Sequence, residues 1–131
     1  MANHSSMFLL SFLYFFGWFA AVISQERAVD LYKRGNQLAR EGAIPDAVYL
    51  YARAVSIDKS LHQAYPNWAH LLLEHGQVQD SVPLFLKAHQ VAETSKSACN
   101  LAIALHRAGQ MEQAQQFYET ALQLDENNEK A

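Results

Sequence analysis

Charge is absent from the start of the chain: the earliest acidic or basic side chain is Glu26, although the 131 residues include 10 basic and 13 acidic ones. Charged side chains normally sit on solvated surface, so this opening stretch is not ordinary domain surface. Cysteine is scarce too. Cys99 stands alone, which excludes an internal disulfide and a thiolate metal cluster. Basic runs are lacking and the formal net charge is −3, so the footprint of a nucleic-acid binder is missing. No glycine-rich phosphate loop, serine elbow or metalloprotease helix motif occurs, and neither catalysis nor a cofactor is expected. Cys99 and His106 fall on one helix face, but two ligands of the usual four do not make a metal site.

What the opening stretch does contain is apolar and aromatic. Met7 to Ile23 reads MFLLSFLYFFGWFAAVI, with Phe12 and Trp18 among seven of the fifteen aromatic residues that fall between Phe8 and Phe19. As a helix the run is about 25 Å long against a hydrocarbon core of roughly 30 Å. Residues 1–24 are therefore expected to be a transmembrane anchor or a signal peptide, with a buried core helix as a third reading. Val22-Ile23-Ser24 before Gln25 offers the small residues of a cleavage site. Against cleavage, no Lys or Arg precedes Met7, while Arg27, Lys33, Arg34 and Arg40 follow the run. A retained segment would then be single-pass with the body in the cytosol; a cleaved one would leave the body secreted or luminal. The triplet Asn3-His4-Ser5 precedes the apolar run, so glycosylation within the body cannot report on the compartment.

The length suits one domain, and that domain is periodic. Gly42, Gly76 and Gly109 are 34 and 33 residues apart. Around them recur Leu31, Arg34, Gly35, Leu38, then Ala47, Tyr51 and Ala54; next Tyr65, Trp68, Ala69, Leu72, then Ser81, Phe85 and Ala88; last Ala98, Leu101, Ala102, Leu105, then Ala114, Tyr118 and Ala121. Apolar residues three and four apart put each set on one face of a helix, and the glycine marks a turn. The expected fold is all-α, built of antiparallel helix hairpins behind a single N-terminal hydrophobic helix. Gly35, Ala69, Ala102, Ala47, Ser81 and Ala114 are expected where helices approach closely, with Tyr51, Phe85 and Tyr118 filling the space between hairpins. Pro45 suits a first helical turn, Pro83 is expected to do the same one unit later, and Pro66 should lie near the start of its helix.

In this order of Trp, Leu-Gly, Tyr, then Ala, Phe and Pro positions the chain resembles the tetratricopeptide repeat family. LYKRGNQLAREG followed by DAVYLYARAVSID is a close first copy. The resemblance implies a right-handed α-solenoid with repeats at residues 28–61, 62–94 and 95–128. Arg34 stands where leucine is usual, and Lys59, Glu93 and Glu126 where the closing proline is usual, which would loosen the joints between units.

The resemblance further implies that the first helix of each hairpin lines a concave groove. Tyr32, Lys33, Asn36 and Arg40 would face it from the first unit, Gln63, Asn67, His70 and Glu74 from the second, and Lys96, Cys99, Asn100, Ile103, His106 and Arg107 from the third. Lys33, Arg40, Lys96 and Arg107 against Glu74 make that groove basic, suited to an acidic or C-terminal peptide. Asn36, Asn67 and Asn100 could hold a peptide backbone without reading its sequence. Some family members grip the C-terminal carboxylate of heat-shock chaperones with two lysines, two asparagines and an arginine. Asn36, Asn67 and Lys96 match that clamp, whereas Tyr32 and Asn100 replace two of its cations. The asparagine row more nearly resembles the backbone ladder of the sugar-transferring repeat proteins. The same residues also read as a solvated helix face.

The expected function is a non-enzymatic, membrane-anchored scaffold that binds a protein or peptide. Two alternatives stay open. One is an assembly subunit that docks on a partner or a second copy through the last helix pair, including Phe117, Leu122 and Leu124. The other is a truncated piece of a larger membrane-anchored repeat protein.

Overall fold

The structure, a computed structural model, describes residues 4–130, with side chains to residue 127. Asn3, which begins the triplet, and the side chain of Asn128 fall outside that range. Six helices follow one another: α1 (His4–Arg40), α2 (Ile44–Ile57), α3 (Ala64–Glu74), α4 (Val78–Val91), α5 (Ser95–Arg107) and α6 (Met111–Lys130). No strand occurs among the described residues. α1 packs on α2, α3 on α4 and α5 on α6, while α2–α3 and α4–α5 contacts join successive pairs into a solenoid.

The hairpin turns are one motif made three times. Gly42, Gly76 and Gly109 take φ of 83°, 81° and 83°, a left-handed conformation that side chains with a Cβ resist. After each glycine an amide reaches five residues back: Ala43 to the Leu38 carbonyl at 2.9 Å, Gln77 to Leu72 at 2.9 Å and Gln110 to Leu105 at 2.9 Å. Helix-end carbonyls that would otherwise be orphaned are thereby satisfied, and three residues separate one helix from the next.

Small residues let the paired helices close. Ala47, Ala69, Ala102, Ala114 and Ser81 are all buried, as are Tyr51 and Phe85; Tyr118 is half-buried. At Gly35 a Cβ would lie 2.9 Å from Tyr51 Cε1, so the tyrosine ring occupies the space that any larger residue would need.

The apolar run is the N-terminal half of α1, which continues through Ser24 into the first repeat. No glycine or proline stands between Gly17 and Gly35 to break the 37-residue helix. Every side chain from Met7 to Ala21 is exposed. That excludes the buried core helix: the run reaches past the hairpins and has nothing to bury against.

Pro45 and Pro66 lie in the first turns of α2 and α3. Pro83 does not match its expectation, because it is the sixth residue of α4, inside the helix. A period of 34 aligns Pro45 with Gln79 rather than with Pro83. The Gln79 carbonyl therefore loses its i+4 amide donor, and the exposed Pro83 ring sits on the solvent side of α4.

The joints without the closing proline are held by hydrogen bonds. Asp58 Oδ1 accepts from the Ser60 amide at 2.9 Å and the Ser60 hydroxyl at 2.5 Å. At the next joint Thr94 and Ser97 form a reciprocal capping box at the start of α5. Buried His89 adds a bond from α4, its Nδ1 lying 2.7 Å from Ser97 Oγ. Of the three apolar residues expected to be exposed at the last helix pair, Leu122 is. Leu124 is half-buried, and Phe117 is half-buried with its ring edge-on to His89 at 5.7 Å. On the outer face of α6, Gln115 donates to Glu119 at 3.3 Å, making that face partly polar.

Candidate functional site

α1, α3 and α5 are the first helices of the three hairpins, and α1 and α3 each contribute an asparagine to one polar cluster. Asn36 and Asn67 meet there. Asn67 Nδ2 donates to Asn36 Oδ1 at 3.0 Å and to the Tyr32 hydroxyl at 2.8 Å. From below, the Tyr51 hydroxyl donates to Asn36 Oδ1 at 2.6 Å, and the Tyr51 and Tyr32 rings lie 6.1 Å apart. Burial raises the Tyr51 phenol above its ordinary value of 10.0, Tyr32 adds to the rise and Arg40 opposes it, so Tyr51 stays a neutral donor. These bonds engage the Asn36 oxygen and the Asn67 nitrogen. Among the described residues nothing pairs with Asn36 Nδ2 or Asn67 Oδ1, one donor and one acceptor of the kind that an extended backbone takes.

Two open depressions flank this cluster. Between α1 and α3 a hollow of about 440 Å³ is lined by Asn36, Arg40, Asn67, His70 and Glu74, with His75 at its edge. Between α3 and α5 a hollow of about 380 Å³ has a floor of Phe85, Ala88, Val91, Ala92 and Pro66. Its rim carries Gln63, Asn67, His70, Lys96 and Asn100, with Thr94 and Ser97 at one end. An apolar floor with a few convergent polar groups is the usual form of a binding cleft.

His70 lines both hollows. Its ring stands edge-on to Phe85, centroids 4.9 Å apart at 84°. Burial against that floor lowers its pKa below the ordinary 6.5, Glu74 pulls it up and Lys96 pushes it down. As pH falls through about 6.5 the unfolded chain takes up the proton before the folded one, so stability is full above that pH and declines below it. Urea midpoints at pH 8 and pH 5 should thus differ more in the wild type than in His70→Gln. Equal differences would show that His70 has no part in the acid response.

Asn36, Arg40, Asn67, His70, Lys96 and Asn100 therefore line the two hollows, and Tyr32 joins them through its hydroxyl. Lys33 instead lines a separate shallow depression with Val22, Glu26, Val29 and Asp30. Arg107, the last residue of α5, lines neither hollow. The cations of the groove are then Arg40 and Lys96, opposed by Glu74. The floor residues Phe85, Val91 and Ala92 were not anticipated as site residues, because they come from the second helix of a hairpin and its C-cap, where the pattern signals packing.

Residues 95–128 match the tetratricopeptide repeat family model. The second such domain of Spaghetti (RPAP3), solved with the HSP90 peptide SRMEEVD, superposes with a TM-score of 0.68 at 24% identity over 76% of this chain and 94% of its own. MamA gives 0.75 at 16% identity over 82% of this chain, which spans 63% of the MamA chain. The N-terminal domain of stress-induced protein-1 from C. elegans gives 0.71 at 19% identity over 76% and 85%. With its three glycine turns and its small-residue helix contacts, the chain has the all-α, tetratricopeptide-type solenoid fold of these structures, and its last hairpin matches that family's model.

Proposed function

We propose that this protein is a membrane-anchored scaffold, without catalytic activity, whose concave groove holds an extended segment of a partner protein. The observation that carries this reading is the open donor and acceptor pair of Asn36 and Asn67 beside the apolar floor at Phe85. Asn100 and Lys96 continue the row on α5, so a segment of acidic character finds a cation at that end. Two of the neighbouring structures, both of Spaghetti (RPAP3), hold the HSP90 peptide SRMEEVD, which supports a peptide segment as the class of partner. The anchor is the apolar half of α1, and the cations that follow it favour the cytosol for the repeats. The departures at Tyr32 and Asn100 argue against that same peptide as the physiological ligand, since its carboxylate would meet amides where a guanidinium fits best.

The test is a peptide array of acidic and neutral extended segments probed with the full chain in detergent. Asn67→Ala combined with Lys96→Ala should abolish capture of the segments that the wild type retains. Both side chains are exposed, so the double variant should keep its cooperative thermal transition. Unchanged capture by the double variant would overturn the groove reading.

A further inference from the structure

The continuity of α1 fixes more than attachment. Ala28 is fully buried and packs with Ala54, Leu61 and Ala64. The α2–α3 turn is therefore level with a point five residues beyond Ile23, about 7 Å along the helix. The headgroup layer outside the hydrocarbon is itself roughly 5–8 Å thick. With α1 leading away from the bilayer, α2 returns toward it and the later helices alternate. The α2–α3 and α4–α5 turns lie on the membrane side, and the turns at Gly42, Gly76 and Gly109 on the far side. No left-handed residue or proline interrupts α1 between the apolar run and Ala28, so no flexible linker lets the repeats swing.

We propose that the solenoid stands upright on the bilayer with the α2–α3 and α4–α5 turns against the lipid headgroups. This rests on the anchor reading above. Exposed Lys59, Ser60 and His62 on one turn, and Glu93, Thr94 and Lys96 on the other, give this edge a polar, mixed-charge surface suited to a zwitterionic headgroup layer. The hollow between α3 and α5 shares the edge, because His62, Gln63, Val91, Ala92 and Thr94 line it. Its ligand must consequently run beside the headgroups, whereas the α1–α3 hollow, at Arg40 and Glu74, opens farther out.

The experiment uses the full chain, Cys99→Ser, in phosphatidylcholine vesicles containing a nickel-chelating lipid. Nitroxides are placed at Lys59→Cys and Glu93→Cys on the near side, and at Gln77→Cys and Gln110→Cys on the far side. Relaxation by headgroup nickel should be several-fold stronger at positions 59 and 93 than at 77 and 110. Inserting Gly-Ser-Gly-Ser between Gln25 and Glu26 should preserve flotation with the vesicles and erase that difference. Flotation with no difference between the sides in the uninserted chain overturns the orientation alone. A difference that survives the insertion overturns the rigid coupling on which it depends. A chain that does not float overturns the anchor reading and this one together.

Discussion

Phe85→Ala should cost about 3–5 kcal/mol of folding free energy, the range for truncating a fully buried phenylalanine. The ring is 1% exposed and packs with Ala69, Leu73, Leu101, Leu105 and Ala114, so it ties α4 to both helices of the last hairpin and to α3. Three stacked hairpins have only nearest-neighbour contacts, and no other core can compensate for the cavity. Against a total stability of about 5–15 kcal/mol for a domain of this size, the variant keeps little margin at body temperature. Leu86→Ala, one residue on and 38% exposed, should lose less than about 1.5 kcal/mol. Chemical denaturation of both variants measures the contrast. Equal losses would mean that the second joint does not depend on the buried ring. Because Phe85 also floors the α3–α5 hollow, peptide capture by any folded fraction should weaken as well.

Phe85 also shows what the sequence made legible and what it did not. Its place in the 34-residue period marks it as a packing residue, and it is one. The period was readable because close helix contact leaves few choices: a glycine where Tyr51 fills the gap at residue 35, alanine or serine elsewhere, and a left-handed glycine at each turn. The groove was harder to read. Helical periodicity assigns Lys33 and Arg107 to its face, but Lys33 lines a separate depression on α1 with Glu26 and Asp30. Most of the hollow's floor comes from a second helix, so a pattern confined to first helices could not supply it. Pro83 misled because proline at a helix start and proline on a helix's solvent side look alike without a boundary. The continuity of α1 is visible only in three dimensions, because a helix that carries on leaves no breaker to mark where the apolar half ends and the repeat begins.

Phe15→Lys combined with Phe16→Lys should release the protein from membranes while leaving the repeats folded. Position 15 is the centre of the Met7–Ile23 run, and a lysine at the centre of a spanning helix costs about 2.5–3.5 kcal/mol. Two of them amount to roughly 5–7 kcal/mol, or between three and five powers of ten in partition at 1.4 kcal/mol per tenfold. In the structure Phe15 is 60% exposed and Phe16 54%, and their ring neighbours are Phe12, Trp18 and Phe19 of the same run. No repeat residue loses a contact, so the thermal transition followed by circular dichroism should stay where it is in the wild type. Vesicle flotation measures the release, and N-terminal sequencing of cell-expressed wild type accompanies it. A chain recovered with its apolar run intact and protease-accessible from the cytosol fits the anchor; one beginning at Gln25 fits a cleaved signal and puts the groove on the other side of the membrane. If the double-lysine variant floats as well as the wild type, bilayer insertion of this run is not what holds the protein to the vesicles.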